Sequence, residues 1–343
     1  MTRNASTTIL SGLEWQSSVH RGEDLRGVQI SNSNLACADF QGGNLRGAYF
    51  INVDCRKTNF KEARLQFARF QGCFLSESTW QSCDLADSQF QECDLAGADF
   101  RRSQMARSAI SLSEMKDTIL TACDLEGATI EGVNLTGACF AKARLAQTTM
   151  NGSKLTGAIL LEAEVADAAW AYTDLSKASI SGAVILRTNL QGANLRFADL
   201  SHARLEDCDI RIASFERASL TAIATANVTA EDVNFEFSDL RKASFAGSDF
   251  VRSNLIGADL KGARAIDSNF KDADFFWADL QGFTHHNCNF TGVRWPEEVK
   301  IAYGPRGVTP PNITPVPLYR KAATEEERKK LLKSYLEISP EQR

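Results

Sequence analysis

The sequence predicts an all-β solenoid, and three regularities lead there. From Leu25 to Trp295 every fifth residue falls on one unbroken register, and of its 55 positions 50 are Leu, Phe, Ile, Met, Val or Trp. The exceptions are Cys55, Thr225, Ala230, Ala265 and His285. Two residues before each centre the side chain is Ala, Ser, Thr, Cys, Val or Gly at all 54 positions except Ile223 and Phe283. A helix needs apolar residues at a spacing of 3.6 and a strand at 2, so a period of five fits neither and marks a repeat architecture that turns at every unit. Every twentieth residue gives the third regularity. One ladder reads Phe40, Phe60, Trp80, Phe100 and another Phe50, Phe70, Phe90, with Leu25, Leu45, Leu65, Leu85 and Leu35, Leu75, Leu95 between them. Four repeats therefore make one coil, and aromatic stacks face each other across a Leu pair.

Runs such as Ala193-Asn194-Leu195-Arg196-Phe197 and Ala258-Asp259-Leu260-Lys261-Gly262 resemble the A(D/N)LXX unit of pentapeptide-repeat proteins. The resemblance covers about four fifths of the chain. It implies a right-handed quadrilateral β-helix in which the centre and the small residue point inward. At the roughly 4.8 Å spacing of hydrogen-bonded strands, about 13 to 14 coils give a rod on the order of 65 Å long.

The elements follow in chain order. Residues 1–20 form an N-terminal cap, with Leu10, Leu13 and Trp15 covering the strand edges that a solenoid otherwise exposes. Residues 21–295 are the repeat body. A large centre beside a small neighbour suits a narrow tube that tolerates few voids. Thr225 and Ala265 lie one coil either side of Phe245, and Ala230 one coil before Phe250, so these small centres make room for Phe rings. Segment 221–233 loses two centres in succession; it reads as a distorted coil or a bulged recognition loop. Gly residues such as Gly27, Gly47, Gly97, Gly127 and Gly192 mark turn positions that need positive φ. After Trp295 the register stops and six of the seven prolines appear, so residues 296–323 read as an extended proline-rich arm. Thr324 with Glu327 has the spacing of a capping box, and a C-terminal amphipathic helix is expected within 324–343, ending near Ile338 before Pro340. Leu331, Leu332, Tyr335, Leu336 and Ile338 give it one apolar face, which must dock because so short a helix is marginal alone.

Composition narrows the function. The net charge is −5, with both signs interspersed, which argues against a nucleic-acid-binding face built from clustered Lys and Arg. No apolar run is long enough to span a membrane and residues 1–21 lack the apolar stretch of a signal peptide, so a cytoplasmic protein is expected, with signal-independent secretion left open. Of nine Cys, Cys73, Cys83, Cys93, Cys123, Cys208 and Cys288 sit at small inward positions, Cys55 at a centre, and Cys37 and Cys139 outward. Cys at the inward positions acts as a small hydrophobe, and no CxxC pair exists. The sequons at Asn134 and Asn289 are a by-product of a repeat that writes Asn-Leu-Thr and Asn-Phe-Thr.

Catalytic motifs are not found: no GxSxG, phosphate-binding Gly loop or HExxH is present. His285, His286 and Cys288 lie close in sequence, but successive residues point in different directions, so no metal site and no cofactor are expected. The remaining candidate is a surface. Phe197, Phe237, Ile256, Phe276 and Trp277 place large apolar groups outward on one side of the rod, the side from which the arm departs at Trp295. Tail docking, a homodimer through the C-terminal helix, or a protein partner would each cover this patch. The chain is therefore expected to be a non-catalytic interaction scaffold, bacterial by resemblance, and of the kind that includes secretion-system effectors and accessory proteins. The alternative that the resemblance brings is a DNA-mimic protector of DNA gyrase or another type II topoisomerase. Against it stand the longer rod, the mixed rather than strongly acidic surface, and the proline-rich arm.

Overall fold

The computed structural model describes residues 8–296, which form one continuous β-solenoid of about fourteen coils. Each residue pairs in parallel with the residue twenty positions on, as in Asn34↔Asp54, Asp54↔Phe74 and Phe74↔Asp94. The centre donates to the coil ahead and its outward neighbour to the coil behind: Leu35 N lies 2.7 Å from Asp54 O, and Asn34 N lies 2.8 Å from Leu13 O. Four straight runs and four corners make up a coil. In the order in which the chain meets them, face 1 carries centres Leu10, Ile30 and Phe50, and face 2 carries Trp15, Leu35 and Cys55. Face 3 carries His20, Phe40 and Phe60, and face 4 carries Leu25, Leu45 and Leu65.

The centres fill the interior. Phe40, Phe60, Trp80 and Phe100 stack with ring centroids 5.5, 4.2 and 5.5 Å apart, and Phe50, Phe70 and Phe90 stack at 4.6 and 4.9 Å. The two ladders meet edge to face, with Phe70 and Trp80 5.3 Å apart at 87°. A buried indole N–H needs an acceptor. Trp80 Nε1 donates to Ser78 Oγ at 2.7 Å and Trp170 Nε1 to Thr148 Oγ1 at 3.0 Å. Inward Cys thiols likewise bond to the backbone, Cys83 Sγ and Cys123 Sγ each lying 2.8 Å from the carbonyl oxygens of Phe60 and Phe100. Burial pushes both thiols up to about 12, which leaves them unreactive as nucleophiles.

Repeat exceptions are resolved by exchange of volume inside a repeat. Ile223 and Phe283, the two large residues at small positions, are buried, and the centres two residues on are the small Thr225 and the half-buried His285. Phe283 lies one coil above Ala263 and beside Phe290, edge to face at 6.4 Å. Phe245, flanked by Thr225 and Ala265, packs its ring 5.1 Å from Phe250. Segment 221–233 is neither distorted nor bulged, because Ala224–Ala226 pairs in register with the coils on both sides.

Corners carry the information that the five-residue period conceals. The second corner residue is left-handed whether or not it is Gly, with φ of 45° at Asn32, 51° at Leu112 and 61° at Trp277. Three corners in each coil close with a turn hydrogen bond, such as Ala38 N to Leu35 O at 3.0 Å. The fourth stays open, and there the strand extends to three residues. Seven such strands, from Ile9–Ser11 (β1) to Thr129–Glu131 (β7), form a parallel sheet on face 1. Seven more, from Glu164–Ala166 (β8) to Thr284–His286 (β14), form a second sheet on face 4. Between them every corner is closed, from Ala138 N to Leu135 O through Ala163 N to Leu160 O.

An open corner leaves the N–H of its small residue without a turn carbonyl, and where Ser stands one coil on its hydroxyl can supply the acceptor. Cys93 N donates to Ser113 Oγ at 3.0 Å and Val228 N to Ser248 Oγ at 3.1 Å. The small residues at open corners are accordingly Ser33, Val53, Cys73, Cys93, Ser113 and Val133, then Thr188, Cys208, Val228, Ser248, Ser268 and Cys288, with Ala168 the single Ala.

Residues 9–20, expected as a cap, are themselves a coil, with β1 in register on Gln29–Ser31 and His20 occupying a centre. The His20 ring stacks 4.2 Å from Trp15 and 5.1 Å from Phe40. The expected arm beyond residue 296 and the helix within 324–343 lie outside the described residues.

Three interior hydroxyls, Ser88 Oγ, Ser108 Oγ and Ser253 Oγ, are buried without a hydrogen-bond partner. Ser88→Ala and Ser108→Ala should each stabilise the rod, by about 1 kcal/mol, because an unpaired buried hydroxyl is removed with little loss of packing. Urea denaturation measures this.

Candidate interaction surface

The corner that follows face 2 brings together the five residues singled out as a patch. Its first positions read Arg196, Glu216, Glu236, Ile256 and Phe276 on successive coils, and its second positions read Phe197, Arg217, Phe237, Gly257 and Trp277. Phe197 is 46% exposed, Phe237, Phe276 and Trp277 are half-buried, and Ile256 is buried at 7%. So four of the five present accessible apolar surface and Ile256 packs beneath it.

Cations sit among the rings. The Arg217 guanidinium lies 5.8 Å from the Phe197 centroid and 5.9 Å from that of Phe237, bridging two aromatic groups two coils apart. Arg196 lies 5.9 Å from Phe197 and bonds Glu216 at 2.9 Å, and Glu216 also approaches Arg217 at 3.7 Å. Arg294 lies 4.1 Å over the Phe276 ring while holding Asp274 at 3.1 Å. Phe276 and Trp277 stack on each other at 4.7 Å. The lower half of the column is thus an alternation of rings and cations, and the upper half is apolar.

Gly257 makes the column continuous. A Cβ there would lie 2.5 Å from Cδ1 and Cε1 of Phe237, so the ring rests on bare backbone. The same device recurs elsewhere, where Tyr172 lies across Gly192, a Cβ of which would sit 2.5 Å from Tyr172 Cε1.

Much of the charge on the rest of the rod is cancelled locally. In Asp-x-Arg units the carboxylate accepts the backbone N–H of the Arg and pairs with its guanidinium. Examples are Asp54–Arg56 and Asp99–Arg101 at 2.6 Å, Asp209–Arg211 at 2.6 Å and Asp239–Arg241 at 2.5 Å. Other pairs run between coils, Arg107–Asp87 at 2.7 Å, Arg187–Asp167 at 2.6 Å and Arg252–Asp232 at 2.7 Å. At Asp54 the Arg56 hydrogen bonds outweigh burial and hold the carboxyl below its usual range. At Asp99, Asp209 and Asp239 burial pushes upward, but the paired Arg prevails and the net direction is again down.

No group of three His, Cys, Asp or Glu side chains poised for a metal occurs among the described residues, and His286 is exposed on the last strand while His285 faces the Phe290 ring at 5.1 Å. The C-terminal docking residues Leu331, Leu332, Tyr335, Leu336 and Ile338 lie outside the described residues. No helix among those described is long and apolar enough to cross a membrane.

Sequence reading overlooked a second apolar strip. Ile119, Cys139 and Ile159 are bridged neighbours on face 3, with Leu161 at the next corner, and Ile159 and Leu161 are exposed. The signal was available, since every twentieth outward residue from 119 to 159 is uncharged.

Comparison with known proteins now fixes the class. A profile described as pentapeptide repeat region matches residues 24–100 and 48–130, and one described as pentapeptide repeats (8 copies) matches 118–157, 158–196, 173–211, 188–222 and 231–264. The chain belongs to the pentapeptide-repeat family. No curated protein matches it. Among solved structures it is similar to a trypsin-treated form of QnrB1, a plasmid-mediated fluoroquinolone resistance protein: 22% identity over 58% of this chain and 90% of that one, TM-score 0.36. It is also similar to HetL, involved in heterocyst differentiation regulation in the cyanobacterium Nostoc sp. strain PCC 7120: 20% identity over 81% and 91%, TM-score 0.23. A third is Rfr23 from the cyanobacterium Cyanothece 51142: 17% identity over 50% and 90%, TM-score 0.12. At these identities and scores no role is carried across.

Two predictions follow from this geometry. Gly257→Ala should destabilise by about 1–2 kcal/mol more than Gly152→Ala, because both sites are left-handed but only Gly257 also bears a ring; thermal melts compare them. A folded-state carboxyl pKa below the unfolded value adds stability that is present above about pH 4 and lost as pH falls through the folded pKa. Replacing Arg101, Arg211 and Arg241 by Met should therefore raise the midpoint of acid unfolding while leaving the neutral-pH fold intact.

Proposed function

We propose that the chain is a non-catalytic scaffold that binds a protein partner through the corner column of Phe197, Phe237, Phe276 and Trp277. The observation that carries this reading is the contrast between that column and its surroundings. Elsewhere many of the charged groups pair with one another along the rod, whereas here rings, guanidinium groups and apolar surface are displayed together, a composition typical of interface cores. The tail belongs to the same reading: residues 296–323 are an arm, and the helix expected in 324–343 lays its Leu332, Tyr335 and Leu336 face on the column or on the same helix of a second chain. The rod is taken as right-handed and the protein as bacterial, both on the strength of the family, and the protein is taken as cytoplasmic.

Deleting residues 323–343 tests the tail. The rod should stay folded, because each coil contacts only its neighbours, and either a dimer becomes a monomer or the column newly binds a hydrophobic dye. A truncated rod unchanged in both respects contradicts docking. A photo-crosslinking residue at Phe197 tests the partner: in the native cell it should capture one discrete protein that the same group at Gln29 does not.

Protection of a type II topoisomerase by DNA mimicry is the weaker reading. Mimicry needs carboxylates that are unpaired and spaced like phosphates, and in this rod Asp54, Asp99, Asp209 and Asp239 are each engaged by Arg. A supercoiling assay with purified gyrase decides it: altered supercoiling or drug response at physiological salt would replace the scaffold reading.

A further inference from the structure

Charge is distributed across face 3 in a way that the other three faces do not repeat. Two outward columns run along it, one just before the centres and one just after. The first is an unbroken run of parallel bridges from Val19 to Asp279; it holds Asp39, Asp99, Asp199, Asp239, Asp259 and Asp279, and no Lys or Arg. The second holds Arg21, Lys61, Arg101, Arg241 and Lys261, and no Asp or Glu. On the other faces the first column mixes signs: Arg69 with Asp209 on face 1, Asp54 with Lys154 on face 2, and Asp24 with Arg64 on face 4. Each ion pair within a coil of face 3 is therefore a dipole lying across the face in the same sense, Asp99 to Arg101 at 2.6 Å, Asp239 to Arg241 at 2.5 Å and Asp259 to Lys261 at 3.4 Å. Between Ile119 and Ser181 neither column carries a charge, and the exposed Ile159 and Leu161 stand at one level in this window.

We propose that face 3 is the interface of a parallel dimer of this chain, with the two-fold axis running along the rods between the two facing surfaces. Such an axis keeps every residue at its own level and exchanges the two columns, so the acidic column of one copy lies on the basic column of the other. Asp99 then meets Arg101 of the second copy, Asp239 meets Arg241 and Asp259 meets Lys261, each of them reciprocally. The pairs within each chain need not open. Their dipoles come to lie antiparallel across the interface, which is attractive, and each charge gains a second partner. Rods running in opposite directions would instead lay acid on acid and set the same dipoles parallel, which is repulsive, so the sorting selects the parallel arrangement. In the window Ile159 meets Leu161 twice, and these contacts supply the adhesion while the charges set orientation. The corner columns that border the face agree: Lys57 comes level with Glu62 of the second copy and Phe237 with Lys242, and like charges come level nowhere along them. A face about 65 Å long and about 10 Å wide covers on the order of 650 Å² per copy, within the lower range of specific interfaces. The dimer does not depend on the partner reading, since Ile256 and Phe276 of the corner column lie on the far side of that corner.

The test uses the full chain. Sedimentation velocity over a concentration series should show a monomer–dimer equilibrium that weakens as salt rises. Leu161→Glu, at an exposed corner, should raise the dissociation constant tenfold or more with an unchanged melting curve. Spin labels then fix the orientation, placed at Glu62→Cys or at Lys242→Cys in a chain whose accessible thiols are removed by Cys37→Ser, Cys139→Ser and Cys288→Ser. Because the axis keeps levels, the two labels of a dimer should lie under about 30 Å apart at both sites. The sites are about nine coils apart, so rods running in opposite directions would leave at least one pair of labels separated by about 40 Å or more. A parent that stays monomeric throughout the series, a dimer untouched by Leu161→Glu, or a long separation at either label would each overturn the proposal. The second of these results would assign self-association to the tail instead.

Discussion

Everything in this structure hangs on one constraint: residue i must bond to residue i+20 in parallel, without slippage, from one end of the rod to the other. Backbone groups are satisfied only in that register, since the N–H of each centre and of its outward neighbour point along the rod axis to different coils. Once the ladder is fixed, the side chains have no choice of layer. Identical positions stack, so Phe40 falls on Phe60 and Asp39 on Asn59, and any sequence feature repeated at twenty becomes a stripe. Core, corners and surface columns are consequences of the same lattice.

The left-handed corner residue is the second part of the constraint. A coil of four short runs closes only if the chain turns sharply at each repeat, and side chains as large as Trp277 and Phe237 accept positive φ there. Strain of this sort persists where the surroundings over-determine the backbone. At this corner the bulky residues that bear it also form the aromatic column, so the exposed surface and the geometry of the turn are linked. The open corners show how much freedom remains: outside the mid-rod stretch one corner per coil relinquishes its turn bond, and at several of them a Ser hydroxyl on the neighbouring coil accepts the freed N–H or a Cys thiol there meets the freed carbonyl.

Much of this was written plainly in the sequence. The inward register, the facing aromatic ladders and the twenty-residue coil can be read from Leu25 to Trp295 because burial leaves a periodic trace. The coil at residues 9–20 was missed because its centres include His20, whose polarity hides its position in the core stack. The passage of the sheet from face 1 to face 4 was missed for a subtler reason: the period of five is the same on every face, and only the scarcity of Ala at Ser33, Cys73, Ser113, Thr188 and Ser268 records which corner is open. On the surface, the Phe197 to Trp277 column was legible as large apolar residues at outward positions, but the burial of Ile256 and the cations bridging the rings depend on side-chain geometry.

The central claim is that register along the rod, rather than the identity of any one residue, specifies the fold. Two deletions in the middle of the rod test it by circular dichroism and thermal melting. Removing residues 138–157 takes out one whole coil and preserves every face, so a soluble rod with its β signal and a cooperative melt is expected. Removing Gly137 alone moves each later centre out of the interior in favour of a polar neighbour, and loss of the soluble folded state is expected. A tolerated single deletion together with a disruptive twenty-residue one would contradict the account.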